Sequence, residues 1–364
     1  MEAAMTDEFY MKRALHLARR GERWVSPNPM VGAVIVKGGR IIGEGWHRRF
    51  GGDHAEIDAL RNLSESPVDS TIYITLEPCC HHGKTPPCVE GLITAGIARC
   101  VIGMTDPNPL VCGGGMARLQ HHGMATTVGI LEASCRELNE RFIKFMQTRT
   151  PFVTLKFAQT LDGRIATASG HSRWISSPAS LRFAHTLRAI HDGILVGSGT
   201  ILKDDPELTV RLVKGRNPVR IVVDTRLAVS PDAAVLKNQD RARTIVATTD
   251  AAAPGKLNEL ERMGIETILV KPDPERRVDL KELLIELGRR NLSSVLVEGG
   301  AAVITSVLRR RLAHRIVAVV APKISGKGVE TVGDLGIEIM DDAMKLSVRQ
   351  VTRKGGDLVI DGRI

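Results

Sequence analysis

Apolar positions along the first half of the chain switch repeatedly between helical and strand-like spacing. Asp7 to Arg20 carries Met11, Ala14, Leu15 and Ala18 one helical turn apart and stops at Gly21, which predicts a helix. Val31 to Val36 is a short apolar run, and Gly38-Gly39 separates it from Ile41-Ile42-Gly43, which predicts a hairpin. A helix is expected from Ala55 to Leu63, beginning beside His54, and a buried strand over "TIYITL" at 71–76. Further elements follow in alternation: a helix from Cys88 to Ala95, a strand at 100–104, a helix from Met116 to His121, and a strand from Ala125 to Val128. One long, charge-rich helix is expected from Leu131 to Met146. Strands alternating with helices predict an α/β sandwich.

Thr148-Arg149-Thr150-Pro151 breaks the pattern, and the domain boundary is placed there, giving units 1–149 and 150–364. A second α/β series begins with "FVTLKF" at 152–157. Its later strands are expected at 193–197, 219–224, 244–248, 267–270, 294–300 and 315–322, with helical segments between several of them. The length of 364 residues also suits two domains rather than one core.

Composition is globular, with 43% apolar and 25% charged residues. The net charge of +9 favours an anionic partner, either nucleic acid or a phosphorylated small molecule, over a basic surface with no special partner. No apolar run approaches the roughly 18 residues that span a bilayer, and "MEAAMTDEFYMKR" has no signal-peptide pattern. A cytoplasmic protein without a membrane segment is expected. Six cysteines in such a chain point to metal or free thiols rather than disulfides.

The densest chemistry is "EPCCHHGKTPPC", Glu77 to Cys88. With His54 it offers His54, Cys79, Cys80, His81, His82 and Cys88 to a metal. Zinc deaminases use H-x-E followed by P-C-x-x-C, in which the glutamate shuttles protons and is not a ligand. "HAE" at 54–56 and "PC" at 78–79 fit, but the second cysteine follows after eight residues rather than two. Cys79 and Cys80 are adjacent and point apart, so His54, Cys79 and Cys88 are the expected ligands, with Glu56 as the catalytic acid–base. Both cysteines are expected at helix N-termini, where a thiolate is favoured. A closed structural site using His81 or His82 as a fourth ligand is the alternative. Cys100, Cys112 and Cys135 read as structural thiols.

A resemblance covers nearly the whole chain. "SPNPMVGAVIV" (26–36), "GEGWH" (43–47), "GGDHAEIDAL" (51–60), "YITLEPCCHHGKTPPC" (73–88) and "MTDPNPLVCGGG" (104–115) resemble the bifunctional riboflavin-biosynthesis deaminase/reductase family of bacteria. "LKFAQTLDGRIA" (155–166), "SRWISS" (172–177), "LRAIHDGILVGSGTILKDDPELTVR" (187–211) and "LVEGG" (296–300) continue it in order. The resemblance implies an N-terminal cytidine-deaminase-like α/β/α sandwich and a C-terminal dihydrofolate-reductase-like α/β domain. It implies zinc in the first and NADPH in the second. The substrate would be a phosphorylated pyrimidine: hydrolytic loss of an amino group, then reduction of the ribosyl side chain to ribityl. A homo-oligomer, dimer or larger, is implied as well.

By the same resemblance Asn28 hydrogen-bonds the pyrimidine, although an Asn between two prolines also reads as a turn residue. Ala158, Trp174, Thr200, Asp204 and the segment Gly300, Ala301, Ala302, Val303, Ile304, Thr305 and Ser306 match cofactor positions. Ser172, Arg188, Leu208, Arg211 and Glu298 match substrate positions. Independently of the resemblance, Arg188 and Arg211 suit a phosphate, though each alone also reads as a surface arginine. Lys156 lies on an apolar strand where an unpaired charge is costly, and a substrate contact is expected for it. No G-x-G-x-x-G fingerprint is present. Gly299-Gly300 and "VGSGT" at 196–200 instead offer backbone N–H groups after strands. Trp174 reads equally as core.

Two rival readings remain at this level. One is a nucleic-acid base deaminase, disfavoured by the 3% aromatic content, and the other a zinc-stabilised binding module without turnover. Cys112 stands where the family pattern has alanine, either as a packing change or as an oxidisable thiol.

Overall fold

A computed structural model describes residues 6–80, 87–108 and 112–364. The chain divides into two compact units, Met1–Thr148 and Arg149–Ile364. Among the described residues no helix is long and apolar enough to cross a membrane.

The first unit runs α1 (Asp7–Ala18), β1 (Gly32–Lys37), β2 (Arg40–Trp46), α2 (Ala55–Arg61), β3 (Thr71–Ile74), α3 (Cys88–Thr94), β4 (Arg99–Ile102), α4 (Gly114–His121), β5 (Ala125–Val128), α5 (Glu132–Leu138) and α6 (Glu140–Thr148). Its five-stranded sheet has the order β2-β1-β3-β4-β5. The β1–β2 and β1–β3 pairs are antiparallel, and the β3–β4 and β4–β5 pairs parallel. Gly38 and Gly39 close the expected hairpin at φ 53° and 77°, a conformation glycine adopts at least cost.

Glycines also set how closely the helices approach. A Cβ on Gly45 would lie 2.2 Å from the Ala59 nitrogen in α2, and one on Gly32 would lie 2.0 Å from the Ala14 oxygen in α1. The register pairs Gly32 with Trp46 and Ala33 with Gly45, so the two glycines lie on opposite faces. Hence α1 and α2 cover opposite faces of the sheet, the sandwich the sequence predicts.

The long helix expected over 131–146 is two helices. They break at Asn139, which is buried and whose carboxamide bridges both backbone groups of Met30, accepting from its N–H at 2.8 Å and donating to its oxygen at 2.9 Å. That tertiary pairing outweighs helix continuity.

The second unit runs β6 (Phe152–Thr160), β7 (Arg164–Thr167), α7 (Pro178–Ile190), β8 (Gly193–Gly197), α8 (Ser198–Asp204), β9 (Val219–Val223), β10 (Thr244–Thr248), α9 (Pro254–Arg262), β11 (Glu266–Leu269), α10 (Leu280–Arg289), β12 (Ser294–Gly299), α11 (Ala301–Arg309), β13 (Arg315–Ala321), β14 (Gly328–Glu330), β15 (Ser347–Lys354) and β16 (Asp357–Arg363). Nine strands form one sheet in the order β11-β10-β9-β8-β12-β6-β13-β16-β15. It is parallel from β11 to β13 and antiparallel at the β13-β16-β15 edge. In its centre β12 lies between β8 and β6, so the carboxyl ends of three parallel strands open on one edge. Ligands of open α/β sheets bind at such an edge.

Candidate active sites

In the first unit three chain segments converge. His54 is the N-cap of α2, with extended backbone at φ −73°, ψ 162°. Cys88 is the first residue of α3. Cys79 lies in the irregular turn after β3 and not in the first turn of a helix, because β3 ends at Ile74 and residues 75–80 carry no helix. It nevertheless faces one: the Cys88 N–H donates to the Cys79 sulfur at 3.3 Å. His54 Nδ1 lies 3.2 Å from Cys88 Sγ and 3.5 Å from Cys79 Sγ. One ligand atom from each of the three residues falls within 4.8 Å of the others.

The electrostatics follow from this packing. Hydrogen bonds from the Cys88 thiol and from His54 hold Cys79 well below the ordinary thiol range despite burial. Cys88 is pushed up by the neighbouring Cys79 and by burial beside Glu56. His54 rises to about 9, chiefly through its bond to Cys79. Glu56, in the first turn of α2 and 3% exposed, is pushed up to about 7 by burial. One imidazole and two thiols converging, with a buried carboxyl alongside, match the donor set of a catalytic zinc that keeps one open position.

Asn28 lies near this cluster through His47: its Nδ2 is 3.0 Å from His47 Nε2, and the His47 ring stands edge-on to His54 at 5.6 Å. Cys80 is half-buried against the core, while Cys100 and Cys135 are fully buried. Cys112 is exposed, so it is not the packing thiol expected. His81 and His82, the fourth-ligand candidates, lie outside the described residues.

Sequence reasoning missed Glu77. Its buried carboxylate accepts four backbone N–H bonds, from Asp106 (3.2 Å), Gly113 (3.0 Å), Gly115 (3.1 Å) and Met116 (3.2 Å). Gly113, the N-cap of α4, has no side chain to cap it, and Glu77 supplies the cap from the turn after β3. The available signal was an acidic residue closing an apolar strand run.

In the second unit Thr200 and Asp204 follow the carboxyl end of β8, Gly300 to Ser306 follow that of β12, and Ala158 lies near that of β6. The Gly300 N–H donates to Thr200 Oγ1 at 3.0 Å, joining the start of α11 to α8. A Cβ on Gly197 would lie 2.9 Å from Val303, so the two helix starts approach across a glycine. Ala301 to Ser306 form the first turns of α11, with Ile304 and Thr305 buried. Backbone N–H groups at two adjacent helix starts suit a pyrophosphate. Ser172 Oγ bonds Asp204 at 3.2 Å. Trp174 is 65% exposed and is not core; with Ser172, His171 and Thr160 it lines a cavity of about 340 Å³. Ala158 packs against the apolar cluster that contains Leu187, Leu296 and Val317.

Arg188, rather than lying on the surface, forks onto Glu298 with two bonds of 2.8 Å. Burial and Glu298 act oppositely on Lys156, with burial prevailing and lowering it. Burial alone would raise Glu298, but Arg188 and Lys156 hold it down to about 2. His185, held down to about 4 by burial and by Arg188 and Arg211, accepts the Arg211 backbone N–H at 2.9 Å. The Arg211 guanidinium is half-exposed and bonds Glu207 and Thr209, both at 2.7 Å. Leu208 is buried in the apolar cluster of β8, β9 and β10, with φ 54°.

A cytidine-deaminase-like unit with a His-Cys-Cys cluster, followed by a reductase-like unit, defines a bifunctional deaminase–reductase. Residues 4–104 match the cytidine and deoxycytidylate deaminase zinc-binding region, and residues 151–360 the RibD C-terminal domain. The chain is 43% identical to riboflavin biosynthesis protein RibD of Aquifex aeolicus over 355 residues, 97% of each chain. It is 40% identical to the RibD of Escherichia coli K12, covering 98% of this chain and 99% of the relative. A Thermotoga maritima diaminohydroxyphosphoribosylaminopyrimidine deaminase/5-amino-6-(5-phosphoribosylamino)uracil reductase superposes with a TM-score of 0.86 at 40% identity, over 98% of both chains. The chain belongs to the RibD family of bifunctional riboflavin-biosynthesis enzymes, with zinc and NADPH as cofactors.

Proposed function

We propose that the first unit hydrolyses the 2-amino group of 2,5-diamino-6-(5-phosphoribosylamino)pyrimidin-4(3H)-one. The second then reduces the ribosyl group of the product to ribityl. The observation that carries the reading is the convergence of His54, Cys79 and Cys88 within 4.8 Å beside the buried Glu56.

His54 Nδ1 and the sulfurs of Cys79 and Cys88 would hold zinc, which when bound supplies the Lewis acidity that makes a water nucleophilic near neutral pH. Glu56 would take one proton from the attacking water and pass it to the ring nitrogen, then take the second from the added hydroxyl and pass it to the amino group, which leaves as ammonia. Its burial raises its proton affinity into the range this exchange needs. Asn28 holds the pyrimidine.

In the second unit Ala158, Trp174, Thr200, Asp204 and Gly300 to Ser306 would hold NADPH, which when bound supplies hydride. The N–H groups of the first turn of α11 would meet its pyrophosphate. Arg188 and Arg211 bind the substrate phosphate, with Ser172 and Leu208 as further contacts. Lys156 and Glu298 hold the ribose, as an ammonium donor and a carboxylate acceptor. A homo-oligomer in the cytoplasm, with no nucleic-acid partner, completes the reading.

The test is a two-step assay on the purified zinc-loaded chain: ammonia release from the diaminopyrimidinone phosphate, then NADPH oxidation. Both signals are expected in order. Absence of NADPH oxidation with pre-deaminated substrate removes the assignment of the second unit.

A further inference from the structure

We propose that His47 is a positioning residue of the deaminase half and that it fixes the polarity of the Asn28 carboxamide. The inference rests on the reading of Asn28 as a substrate contact. His47 is 2% exposed, and both of its ring nitrogens are engaged. Nδ1 lies 2.8 Å from the backbone oxygen of Asp53. A carbonyl oxygen only accepts, so the ring proton sits on Nδ1. Nε2 then presents a lone pair, and Asn28 Nδ2, 3.0 Å away, donates to it.

The ring has little freedom to reverse this order. The His47 N–H donates to the Val31 oxygen at 2.9 Å, and its imidazole packs edge-on against His54 at 83°. Asn28 is itself constrained, with its N–H on the Val25 oxygen at 2.9 Å and a proline on either side. With its nitrogen committed to His47, Asn28 offers the substrate its carboxamide oxygen. That oxygen accepts from a ring N–H or an amino group, the donor groups of an aminopyrimidinone, and repels a carbonyl. Without His47 the carboxamide is free to turn and offer either end. The chain Asp53–His47–Asn28 thus converts a fixed backbone carbonyl into a fixed preference for a donor on the ligand.

The test combines a structural and a kinetic measurement. In the zinc-loaded protein, ¹⁵N NMR of labelled histidines, with His47 assigned by the resonance missing from His47→Gln, is expected to show the Nδ1–H tautomer. Asn28→Ala and His47→Ala are each expected to raise the deaminase KM about tenfold with a smaller change in kcat, and the double variant to be no worse than either. His47→Gln places an amide donor toward Asp53 and an oxygen toward Asn28, so KM should stay within about threefold of the unsubstituted enzyme. Reduction of pre-deaminated substrate should be unchanged in every variant. An Nε2–H tautomer overturns the inference. So does an unchanged KM in His47→Ala beside a raised KM in Asn28→Ala, which leaves the reading of Asn28 intact. An unchanged KM in Asn28→Ala removes that reading and the inference with it. The tautomer measurement uses the unsubstituted protein and stands even if a variant loses zinc.

Discussion

Arg188 on α7 and Glu298 on β12 meet fork to fork, both bonds at 2.8 Å, with side-chain exposures of only 13% and 8%. Solvent screens such a pair weakly, and Lys156 adds a second positive charge beside the same carboxylate. Glu298→Ala would leave two cations close together without their counter-charge. The expected loss is about 3–5 kcal/mol from the second unit, read by urea unfolding, because breaking a buried pair costs more than the pair is worth. Reductase turnover should vanish while ammonia release persists at temperatures where the first unit stays folded. An unchanged unfolding midpoint would show that the pair carries no stability.

The same carboxylate predicts an acid response. Glu298 is held at about 2, below its ordinary 4.5. A depressed folded value means that the contribution is complete above the unfolded value and is lost as pH falls from about 4.5 toward 2. The stability difference between the unsubstituted chain and Glu298→Gln should therefore be constant at neutral pH and shrink across that window. A difference that stays flat to pH 2 would contradict the assignment of the charge to Glu298.

Glu77 is the second buried carboxylate with a structural task, and its partners are amides rather than cations. Gly115 packs so closely that a Cβ there would lie 2.1 Å from the Pro78 oxygen, so the capped end of α4 rests on the turn carrying Cys79. Glu77→Ala strands four N–H groups and should cost the first unit about 2–4 kcal/mol. Because the Cys79 turn loses its backing, zinc affinity in chelator competition should fall as well. Retained affinity would mean that the turn holds its shape without α4.

The hairpin at Gly38-Gly39, the strand–helix alternation and the His54/Cys79/Cys88 cluster were legible because local spacing encodes them. What was not legible depends on partners far along the chain. Asn139 breaks a helix that its own neighbours favour, because Met30 occupies its carboxamide. Glu77 looks like any strand-end acid until Gly113 and Met116 arrive on it. β15 and β16 were not anticipated: β15 is an exposed edge strand, and its sequence SVRQVTRK lacks a buried face to show periodicity. In the second unit, residue types alone did not distinguish Arg188, which is paired, from Arg211, which is half-exposed.

Glu56 should separate metal binding from chemistry. It belongs to α2 but is not among the three converging ligands. Glu56→Gln preserves shape and removes the exchangeable acid, so zinc content should be unchanged while deaminase kcat falls by about 10²-fold or more. Reduction of pre-deaminated substrate should be unaffected. Loss of zinc in this variant would make Glu56 a structural partner of the cluster instead of its proton carrier.

Gly45 tests whether the sheet itself places His54. A Cβ at this position would lie 2.2 Å from the Ala59 nitrogen and 2.4 Å from the Ala55 oxygen, both backbone atoms of α2, so no side-chain rotation relieves it. The helix must move away from β2, and His54 is its N-cap. Overpacking of this kind costs about 1–3 kcal/mol. Zinc affinity should fall about tenfold in Gly45→Ala, because the displaced N-terminus of α2 carries His54. Gly39→Ala is the matched control: its Cβ meets nothing within 4 Å, and its cost is confined to the positive φ of 77°. It should lose about 1 kcal/mol of stability with zinc affinity intact. Equal zinc affinities in the two variants would show that α2 tolerates displacement, and that the turn at Cys79 and the start of α3 define the metal position without it.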